Sequence, residues 1–197
     1  MDKPAVTDIP LTESIRKRWS PKIFSEIPIS KDHLQQILVA ASWAPSCFNA
    51  QPWSFIIGTN ENNETFEKLS DCLSPQNSVW AIKAPVLILA IAELNFNHNG
   101  KTNRHASHDL GLALGNLLNQ ATILDIQAHL MAGFSIEAAK ENFGLPDTHD
   151  PLTMLAVGYK ADLKTIPKEL LEKELTPRSR KPINEIAFND SFQKPFF

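Results

Sequence analysis

Ala44-Pro45-Ser46-Cys47-Phe48-Asn49-Ala50-Gln51-Pro52-Trp53 is the stretch about which the chain turns. Pro45 and Pro52 bracket four polar or sulfur-bearing side chains, those of Ser46, Cys47, Asn49 and Gln51. Proline fixes φ and removes a backbone donor, so neither a helix nor a central strand continues through it. Before the stretch, residues 31–44 place Leu34, Ile37, Leu38 and Ala41 on one face at helical spacing, with Ser30 as the cap. After it, Trp53 to Thr59 (WSFIIGT) is β-branched and aromatic and predicts a buried strand. The stretch is therefore a stiff loop between a helix and a strand. Loops held in this way commonly carry function. The plainer alternative is a polar connector anchored by Trp53.

On the N-terminal side, residues 11–19 predict a short helix, with Thr12 placed to cap it and Glu13 in its first turn. It runs into Arg16-Lys17-Arg18-Trp19-Ser20-Pro21-Lys22, four cations in seven residues. Pro21 pushes Ser20 towards an extended conformation. Such a cluster is either a solvated basic turn or an anion site in which arginine forks and a hydroxyl converge.

On the C-terminal side the predicted order is a helix over 63–73, an irregular segment over 74–83 containing Trp80, and a strand over 85–93. The strand is nearly continuous in apolar residues, as for one covered on both faces. A polar, Asn-rich loop over 94–103 precedes the longest helix, 105–125, in which Gly111 and Gly115 suggest close approach of another helix. A strand over 126–131, an Ala132-Gly133-Phe134 turn, and a helix from Ser135 to Phe143 stopped by Gly144 and Pro146 come next. A strand over 152–159 and a helix over 165–175 entered through Pro167 follow. A second basic cluster, Pro177-Arg178-Ser179-Arg180-Lys181-Pro182, leads to an apolar tail ending in Phe196-Phe197. Strands alternating with helices imply a sheet covered by helices, α/β or α+β.

Composition excludes some classes of function. A net charge of −3 gives no global attraction for nucleic acid or an anionic membrane. The longest apolar run, 84–92, is too short to span a bilayer, and Met1-Asp2-Lys3-Pro4-Ala5 does not resemble a signal peptide. Cys47 and Cys72 make neither a disulfide framework nor a metal knuckle, which suits the cytoplasm. His105 and His108 lie one turn apart beside Asp109, but no third metal ligand is marked.

The order of these pieces resembles the nitroreductase family of FMN-dependent oxidoreductases, from about residue 15 to residue 186. The loop at 44–53 carries the most specific likeness. Arg18-Trp19-Ser20-Pro21-Lys22-Ile23-Phe24 is similar to the family's Arg-x-Ser-x-(Arg/Lys)-x-Phe motif. His129-Leu130-Met131-Ala132-Gly133-Phe134 is similar to its His-Pro-Met-Gly-Gly-Phe segment, with Leu130 and Ala132 as departures. Asp125 stands where a glycine often ends the long helix.

The resemblance implies one α+β domain over 1–197 with a central, mostly antiparallel sheet flanked by helices. It implies an intertwined homodimer with two interfacial FMN sites, and a C-terminal arm, about 177–197, packing on the partner. Arg18, Trp19, Ser20, Arg178 and Arg180 would surround the FMN phosphate, and Lys22 the flavin N1 and O2 edge. Pro45, Ser46, Cys47, Asn49 and Gln51 would border the ring across the interface, and Met131, Ala132 and Gly133 would meet its N5-bearing edge. The implied activity is hydride transfer from NAD(P)H through flavin N5 to nitroaromatics, quinones or activated alkenes, with no side-chain nucleophile and no metal. The same scaffold also serves dehalogenation, flavin breakdown and reduction of small unsaturated metabolites, and a non-catalytic FMN-binding protein would share the motifs.

Overall fold

Two strands that are buried on both faces form the middle of the molecule. The structure, a computed structural model, describes residues 3–61, 64–162, 166, 168–174 and 176–197. Its elements are α1 (Glu13–Lys17), α2 (Lys31–Ser42), β1 (Trp53–Thr59), α3 (Glu64–Cys72), α4 (Pro75–Ala81), β2 (Val86–Glu93), α5 (Ala106–Ile123), β3 (Ile126–Met131), α6 (Ile136–Phe143), β4 (His149–Tyr159) and α7 (Lys168–Glu174). The sheet order is β1-β2-β4-β3, and every neighbouring pair is antiparallel. The expected α+β class and antiparallel sheet are present.

Side chains alternate across a strand, so β2 feeds two cores. Val86, Ile88, Ala90 and Ala92 pack with α2 and α5. Leu87, Leu89 and Ile91 pack with Leu69 and Cys72 of α3, Ala81 of α4 and Ala139 of α6. Burying each Leu or Ile contributes about 1.5–3 kcal/mol. On α2 the expected stripe is seen, with Leu34, Ile37 and Ala41 buried and the Ser30 hydroxyl accepting from the His33 N–H. Ser135 caps α6 likewise, and Gly144 ends it in a left-handed conformation.

Several boundaries differ from expectation, each for a local reason. Residues 74–83 are not irregular: Pro75 opens α4 at its first turn, where a missing N–H costs nothing. The helix expected over 11–19 is only the five-residue α1, and the Thr12 side chain makes no cap bond. β4 starts at His149 rather than 152 because Pro151 is tolerated where the register with β2 slips, between Ala90 and Ile91. The 94–103 loop is a hairpin, with Asn95 bridged to Thr102 and Gly100 at φ +68°. His33 in the first turn of α2 lies 2.8 Å through Nδ1 from the Tyr159 hydroxyl. Among the described residues nothing lies within 4 Å of a Cβ built on Gly111 or Gly115, so no described helix of the same chain explains them. Met1, Asp2, Asn63, Thr165, Pro167 and Leu175, all used in the expectations above, lie outside the described residues.

One junction carries measurable strain. Asp125 links α5 to β3 at φ +57°, a conformation that disfavours every residue with a side chain and aspartate less than most. Asp125→Gly is expected to raise stability by up to about 1 kcal/mol, and Asp125→Val to lower it by about 1–2 kcal/mol, in thermal or urea melts.

Candidate functional site

Segment 18–24 leaves α1 and runs along the outer side of β3. Its Pro21 carbonyl accepts from His129 Nδ1 of β3 at 2.9 Å, and Phe24 bridges Lys160 beyond the end of β4. Trp19 and Phe24 are buried, so the segment is anchored by its aromatic residues. Between them Ser20 and Lys22 remain exposed. The second basic cluster returns to the same place. Arg178 donates from Nη1 to the Arg18 carbonyl and from Nη2 to the Arg16 carbonyl, the latter at 3.0 Å. Arg18 donates to the Ser20 hydroxyl at 3.1 Å.

Three guanidinium groups thus converge. Burial, then the charges of Arg178 and Arg180, hold the Arg18 pKa below its ordinary value. Burial, then Arg180, does the same to Arg178. Among the described residues no carboxylate pairs with any of the three. Arg178 Nε is buried with no partner. Unpaired, partly desolvated like charges are unfavourable, and a multiply charged anion would complete them.

Beside the arginines lies a cavity of about 510 Å³ lined by Trp19, Ser20, Lys22, Trp80 and Glu174, among others. The Lys22 ammonium is 5.6 Å from the Trp80 ring centre. Trp80 in turn lies 4.6 Å, centre to centre, from His129. The Lys22 N–H donates to Glu174 Oε1 at 2.8 Å. Burial, outweighing the cations Lys3 and Lys22, raises the Glu174 pKa. A carbonyl can only accept, so His129 carries its proton on Nδ1.

The turn after β3 lies beside α4. The Gly133 carbonyl accepts from Asn77 Nδ2 and from the Ser74 N–H, both at 3.0 Å. A Cβ at Gly133 would lie 2.6 Å from Asn77 Nδ2 and 2.8 Å from Ser74 Oγ, so a side chain there would displace these two polar groups. Met131 is buried at the end of β3, and Ala132 is exposed.

The loop that organises the sequence is stiff, as expected. Ser46 Oγ accepts from the Gln51 N–H at 3.0 Å, and Gln51 Nε2 donates to the Asn49 carbonyl at 3.2 Å. The Cys47 N–H donates to the buried Asp109 carboxylate of α5 at 2.9 Å. Phe48, Asn49 and Gln51 have φ of +53°, +53° and +50°. For a residue such as phenylalanine this costs about 1–2 kcal/mol, and it persists only where the surroundings impose it.

The expected site residues fall into two sets. Arg18, Trp19, Ser20, Lys22, Arg178 and Arg180 gather at the β3 edge, with Met131, Ala132 and Gly133 at the end of the same strand. Pro45, Ser46, Cys47, Asn49 and Gln51 precede β1, the other edge. Three interstrand spacings, about 14 Å, separate the edges. The two sets also lie on different faces. The loop follows α2 and is held by α5, whereas the cavity is walled by α4. One chain does not bring them together.

Trp80, Asn77, Glu174 and Asp109 were absent from the expected set. Asn77 and Trp80 lie on the unforeseen α4, whose visible signal was Ser74-Pro75. Cys72 is buried, and burial raises its thiol pKa, so it is structural. Among the described residues no group of three His, Cys, Asp or Glu could hold a metal.

Burial, ahead of the Lys22 and Arg18 charges, pushes the His129 pKa below the ordinary 6.5, against the raising effect of its carbonyl contacts. The unfolded chain therefore takes up a proton near pH 6.5 that the folded chain refuses until lower pH, so stability falls as pH drops through this range. Thermal melts from pH 7.5 to 5 should show this loss, and His129→Gln should flatten it.

The chain resembles proteins already known. The family model described as Nitroreductase family matches residues 15–159. A crystal structure of an oxidoreductase containing FMN superposes with a TM-score of 0.86 at 32% identity, covering 95% of this chain and 96% of that one. An uncharacterised 15.4 kDa protein of Mycolicibacterium smegmatis is 33% identical over 138 residues, 70% of this chain and 91% of its own. The FMN reductase [NAD(P)H] of Bacillus subtilis is 24% identical over 201 residues, 92% of this chain and 78% of its own. With its four-stranded antiparallel sheet, its Arg18–Ser20–Lys22 segment and the family match over 15–159, the chain belongs to the nitroreductase family.

Proposed function

We propose that the protein is an FMN-dependent NAD(P)H oxidoreductase that acts as a homodimer on electron-poor acceptors. One observation carries the reading: three arginines with no acidic partner among the described residues converge beside a cavity of about 510 Å³. An FMN phosphate is a multiply charged anion of the kind they lack, and its ring requires such a cavity. The orphaned Arg178 Nε adds an unused donor at the same place.

Arg18, Ser20, Arg178 and Arg180 would hold the phosphate, and Trp19 would wall the site. Lys22 would set a fixed cation at the pyrimidine edge, where it would favour the reduced, negatively charged state. The Met131-Ala132-Gly133 turn would present backbone towards the opposite edge, with Gly133 packed closely against the Asn77 and Ser74 side chains. When bound, FMN supplies hydride acceptance from NAD(P)H at N5 and its return to a nitroaromatic, quinone or activated alkene. The protein binds, orients and excludes water.

Pro45, Ser46, Cys47, Asn49 and Gln51 would complete the site from a second copy, since their own chain holds them on the far edge. The α2–α5 face supports such a copy. Trp43 is 81% exposed, Val39 and Leu112 lie open on the same helices, and Gly111 and Gly115 leave room for close approach. The tail also supports it. From Ile183 onward its backbone bonds are internal among those described, as in Phe196 N–H to the Ala187 carbonyl, and Phe192, Phe196 and Phe197 stand exposed. We assign this tail to the partner's surface.

The purified protein is expected to be yellow, to bleach on anaerobic addition of NADH or NADPH, and to scatter light as a dimer. Arg18→Ala with Arg180→Ala is expected to weaken FMN binding by roughly 100-fold or more, because charge-assisted bonds are lost. A colourless protein that takes up no FMN, or a double variant of unchanged affinity, would falsify the phosphate assignment. A monomer that retains flavin refutes the shared site.

A further inference from the structure

Each acceptor class named above takes up one hydride and one proton. A C=C bond gains two hydrogens, a quinone becomes a hydroquinone, and a nitro group becomes a nitroso group with loss of water. The residues assigned so far bind and polarise, and none of them stores that proton. Glu174 is placed to do so. It ends α7 half-buried, and it is the one acid among the described residues lining the cavity of about 510 Å³.

Its position is set from two other segments. Glu174 Oε1 accepts the Lys22 N–H at 2.8 Å, and its backbone carbonyl accepts from Lys3 Nζ at 2.6 Å. Both ammonium groups lie near indole rings instead of the carboxylate: Lys3 Nζ is 4.8 Å from the Trp19 ring centre, and Lys22 Nζ 5.6 Å from that of Trp80. Among the described residues neither lysine forms an ion pair with Glu174. Lys83, just beyond α4, is the third cation lining the cavity, and Glu172 is the acid that precedes Glu174 on α7. Burial outweighs the Lys22 N–H bond and the charges of Lys3 and Lys22, so the carboxyl keeps its proton to higher pH than an exposed glutamate does.

We propose that Glu174 is the proton store of the reaction: it takes one proton from solvent as the flavin is reduced and releases it as hydride passes to the acceptor. The inference rests on the flavin reading, in which Lys22 lies at the pyrimidine edge. NAD(P)H delivers a hydride without a free proton and leaves negative charge at that edge. The backbone of the same lysine holds Glu174 close by. A new like charge disfavours a carboxylate, so Glu174 is driven to its acid form. The acid still accepts from the Lys22 N–H through its carbonyl oxygen, so no bond is lost. When the hydride leaves for the acceptor, the charge at the edge disappears and Glu174 returns to its anion. The released proton joins the hydride in the reduced acceptor. One proton enters and one leaves in each cycle.

The test uses holoprotein of measured FMN content. It is reduced anaerobically with NADH or NADPH in weak buffer containing a pH indicator, and the protons taken up per flavin are counted. Between about pH 6 and about pH 8, wild type is expected to exceed Glu174→Gln by about half a proton or more where the difference is largest. Glutamine keeps an oxygen for the Lys22 N–H, so this variant is expected to fold. Reduced-minus-oxidised infrared spectra supply a readout independent of turnover. The C=O stretch of a protonated carboxylic acid is expected in wild type, absent from Glu174→Gln and shifted in Glu174→Asp. The shift in Glu174→Asp decides the matter if Glu174→Gln folds poorly. Equal proton uptake in wild type and Glu174→Gln throughout, or an acid band that neither variant moves, overturns the proton store and leaves the flavin reading standing. A wild-type protein that holds no FMN, or whose flavin both nicotinamides leave oxidised, overturns the two together.

Discussion

The antiparallel pairing of β2 with β4 is the constraint from which the rest follows. Both strands are buried on both faces, so their register decides which helix each side chain meets. A one-residue slip would exchange the two cores. With the pair fixed, β1 and β3 become edges, and everything attached to them is placed. The proline-bracketed loop precedes one edge, and the arginine segment flanks the other. The sheet therefore acts as a spacer that keeps the loop and the arginine segment apart within each chain.

The charge distribution follows the same logic. A chain of net charge −3 still gathers three arginines from segments far apart in sequence; among the described residues it holds Arg178 and Arg180 by backbone carbonyls and Arg18 by the Ser20 hydroxyl rather than by acids. Carbonyls position a guanidinium without neutralising it. The positive potential stays available, and its internal repulsion makes it responsive to an anion. Lys22 is treated differently: its ammonium lies near the Trp80 face while its N–H is held by Glu174. That places a cation at the cavity wall with its charge only lightly compensated.

Much of this was legible in the sequence, and the residues show why the rest was not. The helix 31–44 and the strand 53–59 carry clean periodicity, and the burial of Leu34, Ile37 and Ala41 follows from it. Asp125 in a left-handed junction was foreshadowed by its place at the end of a long helix. The two basic clusters were recognisable, though only tertiary structure brings Arg178 onto Arg18. Seven-residue α4 was missed because two turns are too short for a period to emerge, and Trp80 and Asn77 were missed with it. Asp109 was invisible as a loop anchor, because its partner is a backbone N–H sixty-two residues away.

The bond from Arg178 to the Arg18 carbonyl spans 160 residues. Chains emerge from the ribosome N-terminus first, and the sheet's strands precede Arg178 by nineteen residues or more, counting from Tyr159. The cores that surround β2 and β4 can form while the C-terminal arginines are still inside the exit tunnel. The meeting of the two basic clusters is thus separated in time from folding of the sheet. The order of synthesis makes the Arg178 segment a latch, so that charge is gathered only around a scaffold already built to receive it.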